Sequence, residues 1–107
     1  MKWKISFFDG KVEAETLRFP AGILANLLHI LEMTEEFGPA LGAPYTAPMG
    51  GGLFEIRARG KEGIGRSLFC TVKGGEIFIL HSFIKKTQKT PKKDLQIARK
   101  RLGELRR

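Results

Sequence analysis

The pattern of apolar and polar residues predicts four β-strands in this chain of 107 residues, and the first two show clear alternation. Side chains two apart share a face of a strand, so a period of two is typical of a half-buried strand. Residues 73–75 form a tight hairpin signal between the last two of these strands. The run 77–80 is apolar on both faces, and its strand is therefore expected to be central. The four predicted strands lie within 2–9, 53–59, 65–72 and 76–82.

Helical periodicity predicts two helices between the first and second strands. Leucine and isoleucine recur at helical spacing after Pro20, and we expect a helix from about Pro20 to Glu36. Residues 11–19 can form a shorter helix before it. Residues 38–52 contain three prolines and five glycines, a composition that predicts a loop.

A third helix is predicted at the C-terminal end, where Pro91 begins it and Thr90 caps it. Its apolar stripe consists of Leu95, Ala98, Leu102 and Leu105. The resulting order, β-α-α-β-β-β-α, predicts a single α+β domain spanning residues 1–107. We expect a mainly antiparallel four-stranded sheet with the N-terminal helices packed on one side, an open opposite face, and the C-terminal helix after it.

The formal charge of +8 is concentrated at the C-terminal end of the chain. Residues 1–80 carry nine Lys and Arg against nine Asp and Glu, whereas residues 81–107 carry ten against two. A basic end on a neutral body favours a polyanionic partner, which is RNA, DNA or an acidic protein segment. The ordinary alternative is a solvated basic tail.

Composition also argues against several classes of protein. The chain has no apolar run long enough for a membrane span and no signal-peptide pattern at its start. A single cysteine and two scattered histidines do not match the spacing of metal ligands. We therefore expect a soluble, cytoplasmic protein that uses neither a metal nor another cofactor.

A row of charged side chains is predicted on one face of the second strand. Glu55, Arg57 and Arg59 alternate with apolar residues, so they share the face that turns away from the N-terminal helices. Arg66, which opens the next strand, can reach the same face. Such a row can bind an anion, but cross-strand Glu–Arg pairs are also common on the exposed face of an ordinary sheet.

This set of residues matches what RNA cleavage by its own 2′-hydroxyl requires, which is a base, stabilisation of the phosphorane charge and an acid. Glu55 is the candidate base, and Arg57, Arg59 and Arg66 are the candidate phosphate clamps, since the guanidinium fork fits phosphate oxygens. Lys85 or Lys86, immediately after the central strand, is the candidate for electrostatic support or acid.

His81 lies at the end of the central strand beside these lysines, and histidine titrates near neutrality. A histidine in this position is either a functional group or a packed structural one. Residues predicted to contact RNA outside the catalytic set are Arg59, His81, Lys89, Lys92 and Lys93.

The segments 52–69 and 76–91, with the later ARKRL of residues 98–102, resemble the phage-derived, HigB-like branch of the RelE/ParE toxin superfamily. The resemblance implies that Arg57, Arg66 and Lys85 or Lys86 occupy the positions of basic residues that this family carries on and beside its sheet. Glu55 falls where RelE itself has a lysine. The one tyrosine, Tyr45, lies in the predicted loop, so a tyrosine role is not supported.

The resemblance further implies a toxin of a type II toxin–antitoxin pair that cuts mRNA on the ribosome without a metal. Its partners would be mRNA, ribosomal RNA and a helix-turn-helix antitoxin. Two alternatives stay open: inhibition of DNA gyrase in the manner of ParE, and non-enzymatic RNA binding through the same basic surface.

Overall fold

The computed structural model describes residues 2–85 and 89–107, apart from the side chain of Lys85. In that part of the chain five strands form one sheet in the order β1-β5-β4-β3-β2. The strands are β1 (Lys4–Phe7), β2 (Thr46–Gly50), β3 (Leu53–Gly60), β4 (Gly63–Val72) and β5 (Glu76–Lys85). The helices are α1 (Gly10–Leu17), α2 (Ala21–Phe37) and α3 (Lys92–Leu105), with a short 3-10 helix at Gly38–Ala40.

The predicted α+β class is confirmed, and the sheet is antiparallel except where β1 pairs in parallel with β5. The prediction of four strands was wrong, because β2 forms within the segment that was expected to be a loop. Strand β2 lies at the edge of the sheet and pairs only with β3. An edge strand tolerates a proline such as Pro48, since one side of its backbone needs no partner in the sheet.

The helices pack on both faces of the sheet. Helices α1 and α2 cover one face and share a core with it, whose buried members are Val12, Phe19, Ile23, Leu27, Ile30, Ile56, Ala58, Phe69, Ile77 and Ile79. Helix α3 covers part of the other face, over Leu53, Leu68, Cys70, Leu80, Ala98 and Leu102. The strand pattern alone predicts an open face around Glu55. That prediction was wrong, because α3 covers part of this face.

Arginine side chains fasten α3 to the sheet. Arg99 donates to the carbonyl oxygens of Met49 and Gly50 at 3.0 and 3.1 Å, at the end of β2. Arg101 donates to the Leu80 carbonyl at 2.6 Å, and its guanidinium carbon lies 5.4 Å from the centre of the Phe8 ring. Part of the basic charge in the C-terminal segment is thus used inside the fold.

The start of α3 differs from the prediction. The residue that caps α3 is Pro91, which has no side chain able to accept a hydrogen bond, and not Thr90. The Thr90 hydroxyl instead donates to Oε2 of Glu55 at 2.5 Å. The sequence therefore placed the helix boundary correctly to within a residue but assigned the threonine to the wrong partner.

Candidate functional site

A β-bulge sets which side chains reach the α3 face of the sheet. Leu68 pairs with His81 and Phe69 pairs with Ile79, so Leu80 is an extra residue on β5. Because of this extra residue His81 faces α3 together with Leu68, whereas unbroken alternation from Ile77 would turn it toward α1 and α2. The bulge thus brings a histidine onto the face that carries the charged row.

The centre of the site is a group of four side chains, Glu55, Arg57, Arg66 and Thr90, which we call the Glu55 cluster. Glu55 and Arg57 stand two residues apart on β3, and Arg66 is the register partner of Arg57 on β4. Thr90 comes from the segment just before α3. Two neighbouring strands and a segment 35 residues away along the chain therefore meet at one carboxylate.

The two oxygens of Glu55 are divided between these partners. Oε1 accepts hydrogen bonds from Arg66 Nη1 and from Arg57 Nε, the latter at 3.2 Å. Oε2 accepts the hydroxyl proton of Thr90. The Glu55 side chain is only 1% exposed. A carboxylate that is buried and bonded in this way is placed to hold its neighbours, and no solvent-side lone pair is presented to a substrate proton.

The pKa of Glu55 is lowered from its ordinary value of 4.5. Burial alone would raise it, since desolvation disfavours the charged form. The hydrogen bond from Thr90, the charge of Arg66 and the hydrogen bonds from both arginines outweigh that effect. Glu55 is therefore a carboxylate at neutral pH, and a lowered pKa weakens it as a general base.

The three arginines of the predicted row have different environments. The Arg57 side chain is 36% exposed, and only its Nε is bonded to Glu55. In the described part of the chain, neither Nη1 nor Nη2 of Arg57 donates a hydrogen bond. Arg59 is exposed, and its backbone N–H donates to Asn26 Oδ1 at 2.7 Å. The Arg57 guanidinium is thus held at Nε, and its two terminal nitrogens are not bonded to any described residue on a partly exposed side chain.

Arg66, in contrast, is buried. Its side chain is 8% exposed, and its Nε has no hydrogen-bond partner among the described residues. Direct contact between Arg66 and a bulky polyanion would require the surrounding side chains to move. In this conformation Arg66 acts on the site through Glu55.

His81 forms a second polar pair on the same face. Its Nε2 lies 2.7 Å from Oδ1 of Asp94 in the first turn of α3, and its ring stacks on Phe83 at 5.4 Å between centres. Nδ1 of His81 is buried and has no partner among the described residues. The histidine is therefore held between β5 and α3, and is not an exposed surface group.

The predicted lysines lie near the end of β5 and near the start of α3. Lys85 is the register partner of Ile64 at the end of β5, and Lys86 lies outside the described residues. Lys89, Lys92 and Lys93 are all exposed, and the last two lie in the first turn of α3. Charge from the lysines is thus present on the side of the site where Thr90 enters.

Sequence reasoning missed two residues of the site, Thr90 and Asp94. The sequence pattern assigns Thr90 to the cap of the last helix, and no local pattern distinguishes a capping threonine from one that donates to a distant carboxylate. Among residues 2–85 and 89–107, no three His, Cys, Asp or Glu side chains converge as metal ligands do. No helix within those ranges is long and apolar enough to span a membrane.

Cys70 is buried in the core beneath α3. Burial raises the pKa of its thiol, and the nearby charge of Arg106 only partly opposes this. The thiol is therefore protonated at neutral pH and is not a nucleophile candidate.

Comparison with known proteins identifies both a family and a fold. Residues 14–103 match the model of the family described as "Phage derived protein Gp49-like (DUF891)". The fold is similar to a chain in the crystal structure of the archaeal RelE–RelB complex from Pyrococcus horikoshii OT3, with a TM-score of 0.58 and 19% identity. That alignment covers 80% of this chain and 98% of the archaeal one. The comparison with curated proteins gives no match.

Proposed function

This chain belongs to the phage-derived Gp49-like family, and we propose that it is the toxin of a toxin–antitoxin pair and cleaves mRNA during translation. The RelE-like fold and the family support the toxin class. The Glu55 cluster and the basic residues beside it support RNA as the target.

The observation that carries this proposal is the presentation of Arg57. Its Nε is bonded to a buried carboxylate, while Nη1 and Nη2 have no hydrogen-bond partner among the described residues, on a side chain that is 36% exposed. A guanidinium held in this way can form two parallel hydrogen bonds to phosphate oxygens. It needs no reorganisation when negative charge develops on the phosphorane, which is the requirement for strong electrostatic catalysis.

The remaining residues divide into supporting and contacting groups. Glu55 and Arg66 hold Arg57, and in this role Glu55 is a positioning residue in place of the general base that we predicted from the sequence. Arg59, Lys89, Lys92 and Lys93 are exposed and are proposed to contact the RNA backbone. Lys85 and Lys86 are proposed to keep their predicted catalytic roles. His81 is proposed to keep its predicted role in RNA binding, with its ring oriented by Asp94.

A second part of the proposal concerns regulation. The archaeal structure that shares this fold is a complex of RelE with RelB. We propose that an antitoxin, a small helix-turn-helix protein, likewise binds this chain and neutralises it. The expected consequence is that the chain can be expressed in growing cells only together with that partner.

The decisive experiment compares two arginine variants during induced expression. Arg57→Gln removes the presented guanidinium, and Arg18→Gln removes the same charge from an exposed position after α1, on the opposite side of the sheet. Wild type and Arg18→Gln should produce new 5′ ends within translated mRNA, mapped by primer extension. Arg57→Gln should lower cleavage about 100-fold or more, which is typical for loss of one group that stabilises developing charge.

Other outcomes would contradict the proposal in different ways. Growth arrest with intact transcripts would exclude mRNA cleavage, and a loss of supercoiling activity in the same cells would indicate gyrase as the target. Cleavage by Arg57→Gln at the wild-type rate would remove Arg57 from the site. Binding of RNA by the purified protein without any cleavage, on or off the ribosome, would indicate a non-enzymatic RNA-binding protein.

A further inference from the structure

The Glu55 carboxylate is shared unequally among its three partners. Both arginines bond to Oε1, although two oxygens are available and each arginine would gain from an oxygen of its own. Oε2 is occupied by the Thr90 hydroxyl at 2.5 Å. The orientation of the carboxylate, and with it the direction of the Arg57 side chain, is therefore set from a third element.

We propose that Thr90 is a positioning residue that acts through Glu55 to fix the guanidinium of Arg57 in the orientation that binds the scissile phosphate. The proposal rests on the proposed function for its catalytic consequence. The contact between Thr90 and Glu55 is a property of the fold, and it can be tested without any activity.

Removal of the hydroxyl has a defined structural consequence. Oε2 would become a buried charged oxygen without a donor, which is costly in a site where the side chain is 1% exposed. The carboxyl group rotates easily about its last torsion angle. We expect it to turn until the two arginines occupy both oxygens, and this turn redirects the terminal nitrogens of Arg57 away from the substrate.

The position of Thr90 in the chain gives this contact a further meaning. Thr90 immediately precedes Pro91, the residue from which α3 begins, and it follows the lysine-rich stretch after β5. A single hydroxyl thus joins the phosphate-facing arginine of β3 to the start of the helix that covers this face. Within residues 2–85 and 89–107, no other hydrogen bond or ion pair to the Glu55 side chain comes from the α3 side of the site.

The experiment uses three threonine variants of the complete chain. Thr90→Val keeps the shape of the side chain and removes the hydroxyl, whereas Thr90→Ser keeps the hydroxyl. Thr71→Val makes the same chemical change on β4, where the hydroxyl has no hydrogen bond to any described residue. Each protein is assayed well below its melting temperature, so that differences in stability do not affect the rates.

The expected result has a kinetic and a spectroscopic part. Thr90→Val should lower kcat for mRNA cleavage about 10- to 100-fold, the size of effect expected from a small misplacement of a catalytic group, with a smaller change in KM. Thr90→Ser and Thr71→Val should stay close to wild type. In a carbon-13 NMR titration the pKa of the Glu55 carboxyl should rise in Thr90→Val only, because a hydrogen bond to the charged form is lost.

The two parts separate failure of this inference from failure of the proposed function. If wild type cleaves no RNA but the pKa of Glu55 still rises in Thr90→Val alone, the proposed function fails and the positioning contact stands. If wild type cleaves RNA and Thr90→Val matches it in kcat, the inference is overturned. An unchanged pKa of Glu55 in Thr90→Val overturns it as well, whatever the activity.

Discussion

The two faces of the sheet differ in the size of their apolar clusters and in the charge of their buried polar groups. The face beneath α1 and α2 holds the larger apolar cluster, and its buried polar groups form a neutral chain in which Ser82 bonds to both Thr16 and Ser67. The face beneath α3 holds a smaller apolar cluster together with the ionised Glu55 cluster and the His81–Asp94 pair. One sheet therefore separates the larger apolar core from the charged face on which we propose the RNA-binding site.

The difference shows why the charged face is only partly covered. A neutral hydroxyl chain can be buried fully at little cost once it is hydrogen-bonded. A buried carboxylate keeps its charge when cationic and hydrogen-bonding partners lie nearby, and under the proposed function Arg57 must also remain accessible to a substrate. On this face the side chains of Glu55 and Arg66 are 1% and 8% exposed, whereas that of Arg57 is 36% exposed.

The largest expected effect is on the apolar face. Leu27→Ala should lower the free energy of unfolding by about 3–4 kcal/mol, because Leu27 is fully buried between α2 and the sheet. Leu102→Ala makes the same change beneath α3, where the side chain is 7% exposed, and should cost about 2 kcal/mol. Urea denaturation measures both. A greater cost for Leu102→Ala would show that the α3 face is the principal core.

A somewhat smaller effect is expected from breaking the Glu55 cluster. Arg66→Met should lower the free energy of unfolding by about 2–3 kcal/mol. This is at or below the usual destabilisation when one partner of a buried ion pair is removed, because Arg57 and Thr90 still bond to the carboxylate. The measurement is again urea denaturation.

The matched control for this prediction is the double variant Arg66→Met with Glu55→Gln. Removal of the charge from Glu55 should recover part of the lost stability, because no buried carboxylate is then left short of a partner. Equal or greater destabilisation of the double variant would argue that the two side chains contribute independently.

The smallest expected effect is the dependence of stability on pH. The pKa of Glu55 in the folded protein is lowered below its ordinary value of 4.5, so ionised Glu55 stabilises the fold above that pH. This contribution should be lost as the pH falls through the lower, folded pKa. Unfolding free energies measured between about pH 7 and pH 3 should therefore decline more steeply for wild type than for Glu55→Gln.

Glu62 provides the control for the acid effect. The hydrogen bond from the Gly22 backbone N–H to Glu62 also lowers a carboxyl pKa, but on the α2 side of the sheet. Glu62→Gln should remove its own share of the acid dependence and leave that of Glu55 unchanged. Identical pH profiles for wild type and Glu55→Gln would show that Glu55 has no lowered pKa.

The fold was largely predictable because its signals are local. Periodicity in the chain predicted α2 to within a residue at each end, the hairpin between β4 and β5, and the helix after Pro91. Strand β2 was missed because its proline and glycine are unfavourable by local propensity, and only pairing with β3 makes it a strand. The placement of α3 was missed because an apolar stripe does not say which face of a sheet it will cover.

The candidate site was predictable only in part. The shared face of Glu55 and Arg57 follows from their spacing on β3, and the pairing of Arg57 with Arg66 follows from the hairpin. The roles within that set depend on burial, which spacing does not encode. Because Glu55 is buried, its carboxylate serves to position the two arginines. Burial also distinguishes Arg57, which is partly exposed, from Arg66, which is buried.

The sequence by itself determined which residues are basic, where four of the five strands and the three longer helices form, and that a carboxylate and arginines share a face, because periodicity and charge are local properties. Only the tertiary structure decided that Leu80 bulges and turns His81 toward α3, and that Thr90 reaches Glu55 across 35 positions of the chain. Both outcomes depend on how β4, β5 and α3 pack together, and no short segment contains that information.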